Sequence, residues 1–142
     1  MSDYAAEKKV PPYEIKTITN VDPEFYDKVG KFLSRREIVS EIGAPIWDDD
    51  GKIWFIADSE SLGVIGIIAL KKNEFCSFYV LQGSRGQLVG YALINYALKS
   101  IDNKQTIKAT ATELGQSLFA KFGFLETKKR GKFTVMERAE SA

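Results

Sequence analysis

The chain has 142 residues, 44% of them hydrophobic and 27% charged, the proportions of a soluble globular protein with one compact core. Lys and Arg number 20 against 19 Asp and Glu, so the basic excess that marks a bulk nucleic-acid binder is missing. One cysteine, Cys76, and no histidine exclude an intramolecular disulfide, histidine triads, histidine general bases and the familiar zinc constellations. No metal site is predicted. Without a charged-then-apolar leader or an apolar run of about 18 residues, the expected location is the cytoplasm.

Residues 1–12 are polar and end in Pro11-Pro12, which predicts a loose arm. Tyr13, Ile15 and Thr17 alternate with Glu14, Lys16 and Ile18, the pattern of a first strand. A helix is predicted next, with Asp22 capping its free N–H groups and Pro23 in its first turn. Phe25, Val29 and Phe32/Leu33 form its apolar stripe. Ser34-Arg35-Arg36-Glu37 has the form of a capping box, so a second helix is expected there, ended by Gly43.

Residues 45–47 and 52–58, joined by Asp48-Asp49-Asp50-Gly51, read as a hairpin. Trp47 and Trp54 then form a cross-strand pair or line an acceptor cleft, and the acidic run is a solvated turn. Residues 64–70 and 74–81 are almost wholly apolar, as in central strands buried on both faces, with Lys71-Lys72-Asn73 between them. Cys76 lies in the second of these and has no histidine to activate it, the setting of a core cysteine.

Gly83-Ser84-Arg85-Gly86 leads into a predicted helix with Val89, Leu93, Tyr96, Ala97 and Ile101 on one side. Tyr91 and Tyr96 are expected to pack. Residues 106–112 are rich in β-formers. Leu114, Leu118 and Phe122 recur at helical spacing before Gly123, and residues 124–138 read as two strands around a basic turn at Arg130-Gly131. Lys128, Lys129, Arg130 and Lys132 are read as the solvated end of that hairpin. The order is strand, two helices, three strands, helix, strand, helix, two strands. This is one α/β domain over residues 13–138, with a tail at 139–142.

A buried strand that runs through a glycine turn into a helix presents unpaired N–H groups at the positive end of the helix dipole. Such a mouth can hold a phosphate or pyrophosphate on backbone donors. Gly86 would let the backbone approach a ligand, and Arg85 would add a cation at the rim. A plain tight connection has the same pattern.

The segment resembles the GNAT acetyltransferases, whose corresponding turn reads Gln/Arg-x-x-Gly-x-Gly/Ala. Here it is Arg85-Gly86-Gln87-Leu88-Val89-Gly90, followed by the apolar Leu93. Downstream, members often carry Asn after the fifth strand and then L-Y-x-K-x-G-F. This chain has Thr112 and then Leu118-Phe119-Ala120-Lys121-Phe122-Gly123-Phe124. The likeness extends over about residues 13–138, element order included. It implies a mixed, mostly antiparallel central sheet of six or seven strands flanked by about four helices. It also implies acetyl-CoA as co-substrate, with the pantetheine arm along Tyr79, Val80 and Leu81. The pyrophosphate would sit on Arg85, Gly86, Gln87, Leu88, Val89 and Gly90, with Thr112, Phe119 and Lys121 completing the site.

The implied reaction is direct attack of a neutral amine on the thioester carbonyl. A base must take the amine's proton, since an ammonium has no lone pair. Lysine-acetylating members carry a Glu near the start of the fourth strand, and Glu74 lies in that region. Glu113, just past the fifth strand, is the second candidate; either also reads as an ordinary surface or capping carboxylate. Backbone N–H groups around Val80 would polarise the carbonyl. The acceptor is left open between a protein lysine, an N-terminus and a small amine. A homodimer is compatible with the pattern, whereas nucleic-acid and membrane partners are not expected. Three positions depart from the family: Gly83 stands where Gln or Arg is frequent, and Leu88 replaces the second glycine and narrows the approach. Phe119 replaces the Tyr proposed to protonate the thiolate. A catalytically degenerate module, binding CoA or a protein partner without turnover, is the alternative.

Overall fold

Alternation in the first segment and continuous apolar runs in the middle ones produce a single sheet, strand by strand. In the computed structural model, which describes residues 12–85, 88–101 and 105–139 apart from the side chain of Leu114, the strands are β1 (Tyr13–Ile18), β2 (Lys52–Ser59), β3 (Gly63–Lys71), β4 (Glu74–Val80), β5 (Ile107–Ala111), β6 (Leu125–Arg130) and β7 (Phe133–Arg138). They form a seven-stranded sheet in the order β1-β2-β3-β4-β5-β7-β6. Every neighbouring pair is antiparallel except β4 and β5, which run parallel. The described α-helices are α1 (Phe25–Ser34), α2 (Arg36–Ile42), α3 (Val89–Lys99) and α4 (Glu113–Lys121). The expected fold class and element order are both present.

The sheet is covered on both faces, which is why residues 64–70 read as an unbroken apolar run. On one face, Phe25, Val29, Phe32 and Ile38 from α1 and α2 pack on Trp54, Ile56, Ile67 and Tyr79. On the other, Val89, Leu93 and Ala97 from α3 and Phe119 from α4 pack on Phe55, Ile68, Phe75 and Val80. Full burial of one such aliphatic or aromatic side chain contributes about 1.5–3 kcal/mol.

Several local expectations are corrected. Asp22 makes no cap to α1; its carboxylate accepts the Thr19 N–H at 2.8 Å and closes the preceding turn. The capping box is not formed, because α1 runs on through Ser34 and the Ser34 hydroxyl donates back to the Gly30 carbonyl at 3.0 Å. Arg35, in an extended conformation, separates the two helices, and Gly43 ends α2 with φ of 93° as expected. Residues 45–47 are not a strand. β2 is already paired with β1 on one edge and β3 on the other, so no edge remains for that hairpin.

The tryptophans therefore do not pair. Trp54 is fully buried against Phe25, whereas Trp47 is 66% exposed. In α4 the buried positions include Gly115 and Phe119, with Leu118 partly buried beside them. Of the predicted 114/118/122 line, Leu118 and Phe122 pack against this core, and the side chain of Leu114 lies outside the described residues. Among the described residues no helix is long and apolar enough to cross a membrane.

Candidate functional site

The sheet opens at one place. β4 and β5 pair at Glu74–Lys108 and Phe75–Ala109, and beyond Phe75 no strand among the described residues partners β4 on that side. The cause is a bulge. Ser77 adopts a left-handed φ of 56°, and the β3–β4 register shifts between Ile67 and Ala69. One extra residue in β4 breaks the alternation of faces. Glu74, Cys76 and Tyr79 fall on the α1/α2 side, and Phe75, Phe78 and Val80 on the α3/α4 side.

A cleft of about 300 Å³ occupies this opening, lined by the end of β4, the start of α3 and the inner side of α4. From the predicted set, Tyr79, Val80, Arg85, Leu88, Val89, Gly90, Thr112 and Lys121 line it. Leu88 is the N-cap of α3 with φ of 67°. Leu88 is 70% exposed while lining the cleft. Gly86 and Gln87 lie outside the described residues. Leu81 sits apart from the cleft, and its N–H is used by the Ile65 carbonyl at 2.9 Å.

Phe119 does not line the cleft. It is 1% exposed within an aromatic cluster, its ring 5.7 Å from Phe78, 5.2 Å from Phe124 and 6.1 Å from Phe75. Gly90 has a packing duty beyond the turn. A Cβ there would lie 2.9 Å from both Leu118 Cδ1 and Phe78 Cζ, and one on Gly115 would lie 3.0 Å from the same Phe78 ring. Two glycines, one from each helix, thus let Phe78 wedge between α3 and α4 where the strands part.

Neither proposed carboxylate reaches the opening. Glu74 starts β4, five residues from Tyr79, or roughly 16 Å along an extended strand. It accepts the Thr110 hydroxyl at 2.6 Å instead. Glu113 is exposed in the first turn of α4. A carboxylate that bonds two residues of the cleft lining is Glu41, from α2, which sequence reasoning missed. Its Oε1 accepts the Tyr79 hydroxyl at 2.6 Å, and its Oε2 pairs with Arg85 Nη1 at 2.5 Å. No local pattern marks Glu41, because its partners lie 38 and 44 residues away.

Arg85 is held by three contacts: Glu41, the Val80 carbonyl at 2.8 Å through Nε, and the Tyr79 ring 5.1 Å below. Its Nη2 is buried and has no hydrogen-bond partner among the described residues. The hydrogen bond from Arg85 holds the Glu41 carboxyl below its ordinary pKa, against the opposing effect of burial. Burial first, and then the bond to Glu41, pushes the Tyr79 phenol up, so Tyr79 stays protonated at neutral pH. Cys76 is raised by burial and takes no part. Among the described residues no group of His, Cys, Asp and Glu is placed to hold a metal ion.

A parted parallel strand pair, a helix mouth beside it and a cleft between them define an acyltransferase fold of the GNAT type. Residues 15–136 match the family profile of the acetyltransferase (GNAT) domain, and the chain belongs to that family. Among solved structures it is similar to ElaA of Escherichia coli (15% identity, TM-score 0.71), covering 89% of this chain and 99% of that one. An acyl-CoA N-acyltransferase from Pseudomonas aeruginosa is 14% identical with a TM-score of 0.72, covering 90% and 100%. PaiA N-acetyltransferase from Thermoplasma acidophilum, solved in complex with coenzyme A, is 18% identical with a TM-score of 0.61, covering 90% and 99%. At these identities the likeness is one of fold. No curated protein matches the chain.

Proposed function

We propose that the chain is an acyl-CoA-dependent N-acyltransferase that moves an acetyl group to an amine by direct attack on the thioester. The observation that carries this reading is the cleft at the parting of β4 and β5, faced by the N-terminal turn of α3. The unpaired edge of β4 offers backbone groups that a pantetheine arm can match, around Tyr79 and Val80. Val89 and Gly90, together with the preceding Leu88, supply helix-mouth amides of the kind that bind phosphate oxygens. Lys121, exposed at the rim, adds positive charge. The buried Arg85 Nη2 is a donor that wants an acceptor oxygen. PaiA, solved with coenzyme A, shares the fold and supports the ligand class.

A degenerate module that binds CoA without turnover is the second reading, favoured by one observation. The position that carries the family's Tyr holds a fully packed Phe119 with no proton to give. Two measurements decide. Thermal unfolding with acetyl-CoA at 100 times its Kd should show about 2.7 kcal/mol of stabilisation. Thiol release from acetyl-CoA, followed with a chromogenic disulfide over a panel of amines and a lysine peptide, then separates transfer from binding alone. No stabilisation at millimolar acetyl-CoA defeats both readings.

A further inference from the structure

A second cavity of about 440 Å³ lies on the α2 side of β4, lined by Arg35, Glu37, Ser40, Glu41, Leu81 and Gln82. Tyr79 lines this groove as well as the cleft. It is the residue the two linings share. The bulge at Ser77 puts it there, by turning Tyr79 toward α2 while Phe78 and Val80 face α3 and α4. We propose that Tyr79 and Glu41 form a proton relay that deprotonates the acceptor amine, which enters through the α2-side groove. The inference rests on the acyltransferase reading and names the base that reading lacks.

The hydrogen-bond directions support it. A tyrosine hydroxyl has one proton and two lone pairs. Tyr79 gives its proton to Glu41 at 2.6 Å, so what it presents to the junction of the two cavities is lone pairs. An amine N–H is the complementary donor. The amine lone pair forms the C–N bond at the thioester carbon, and the C–S bond breaks with its electron pair passing to sulfur. As the nitrogen becomes acidic, its proton moves to Tyr79 Oη while the phenol proton passes to Glu41. Glu41 then returns a proton to water, and water protonates the thiolate, which leaves Tyr79 and Glu41 as they began. Tyr79 is the catalytic residue, whereas Glu41 acts through it. Arg85 keeps Glu41 ionised and aimed; Arg35 and Glu37 are the other charged groups of the groove, and Gln82 lines it beside them.

Tyr79→Phe removes the hydroxyl and keeps the ring against Phe32 and under Arg85, so the variant should fold. Acetyl-CoA is the donor probe; ethylamine, glycinamide and a lysine tripeptide, each in excess, are the acceptors. The dissociation constant for acetyl-CoA is measured by calorimetry on each protein. The expected result is a drop in kcat of about 100-fold, within the usual span of general-base catalysis, with acetyl-CoA affinity unchanged. Glu41→Gln should lower kcat in the same direction. Unchanged kcat in Tyr79→Phe, or a loss confined to the KM for acetyl-CoA, overturns the relay. Wild-type protein that binds acetyl-CoA but releases no thiol above buffer with any acceptor overturns it too, while the donor site stands. Failure of the wild type to bind acetyl-CoA removes the donor site and the relay together.

Discussion

Restoring the family's hydroxyl, by Phe119→Tyr, should harm this protein and give nothing back. The Phe119 ring is 1% exposed and touches Phe75, Phe78 and Phe124, while the cleft lining excludes it. A hydroxyl placed among those rings has no partner on any of them. Burying one unpaired costs about 1–3 kcal/mol by protein mutational data, and enlarging a packed core costs a similar amount. With relief by small ring shifts, a net loss of about 2 kcal/mol is expected. For a domain of this size that lowers Tm by roughly 4–8 °C. Scanning calorimetry gives the Tm, and thiol release from acetyl-CoA gives kcat, which should stay within about twofold of wild type. A variant with unchanged Tm and a tenfold higher kcat would refute the reasoning, since the new hydroxyl would then reach the thioester and the aromatic cluster would have been misread.

Glu74→Gln should leave kcat and its pH profile unaltered, because the side chain lies at the closed end of β4 and an amide oxygen can still accept from Thr110; a tenfold fall in kcat would return Glu74 to the chemistry. Leu88→Gly should raise stability by about 1 kcal/mol, since a left-handed φ of 67° strains a side chain that is 70% exposed and buries little; a lower midpoint in urea would contradict this. Asp49 is held at a pKa of about 2 by hydrogen bonds from Lys71 and then Lys52, against an ordinary 3.8. A depressed folded pKa stabilises above the unfolded value, and the contribution disappears as pH falls from about 4 to 2. At 43% exposure the contribution is under about 1 kcal/mol. The gap between wild type and Asp49→Asn in urea midpoints at pH 7 should therefore close by pH 2.

Element order was legible because each buried segment carries a period that its neighbours do not disturb. Phe25, Val29 and Phe32 face the sheet wherever the helix exactly starts to wind, so the stripe survives an error in the cap. Caps are different: a short polar side chain has several backbone groups within reach, and the tertiary turn selects among them. Asp22 took the Thr19 N–H, and Ser34 took a carbonyl behind it. The hairpin at 45–58 failed for a non-local reason, since β1, more than thirty residues earlier in sequence, had filled the edge of β2 that residues 45–47 needed. The Trp pair failed with it.

The same division runs through the site. A glycine turn between a buried strand and a helix is a local pattern, and the cleft lies beside it. The proton chemistry is not local, for it depends on which face Tyr79 occupies. Strict alternation would place Glu74, Cys76, Phe78 and Val80 together and send Tyr79 to the other side. The left-handed backbone at Ser77, costing on the order of 1 kcal/mol or more for a residue with a Cβ, inverts that order after the bulge. Nothing in Ser77 announces it, since the signal for such a backbone is glycine. The same inversion ends the pairing with β5, frees the edge of β4 and turns the tyrosine hydroxyl toward Glu41. One strained residue in the middle of a strand thus opens the cleft and turns the Tyr79 hydroxyl toward Glu41, which is why neither follows from the motif that drew attention to this end of the sheet.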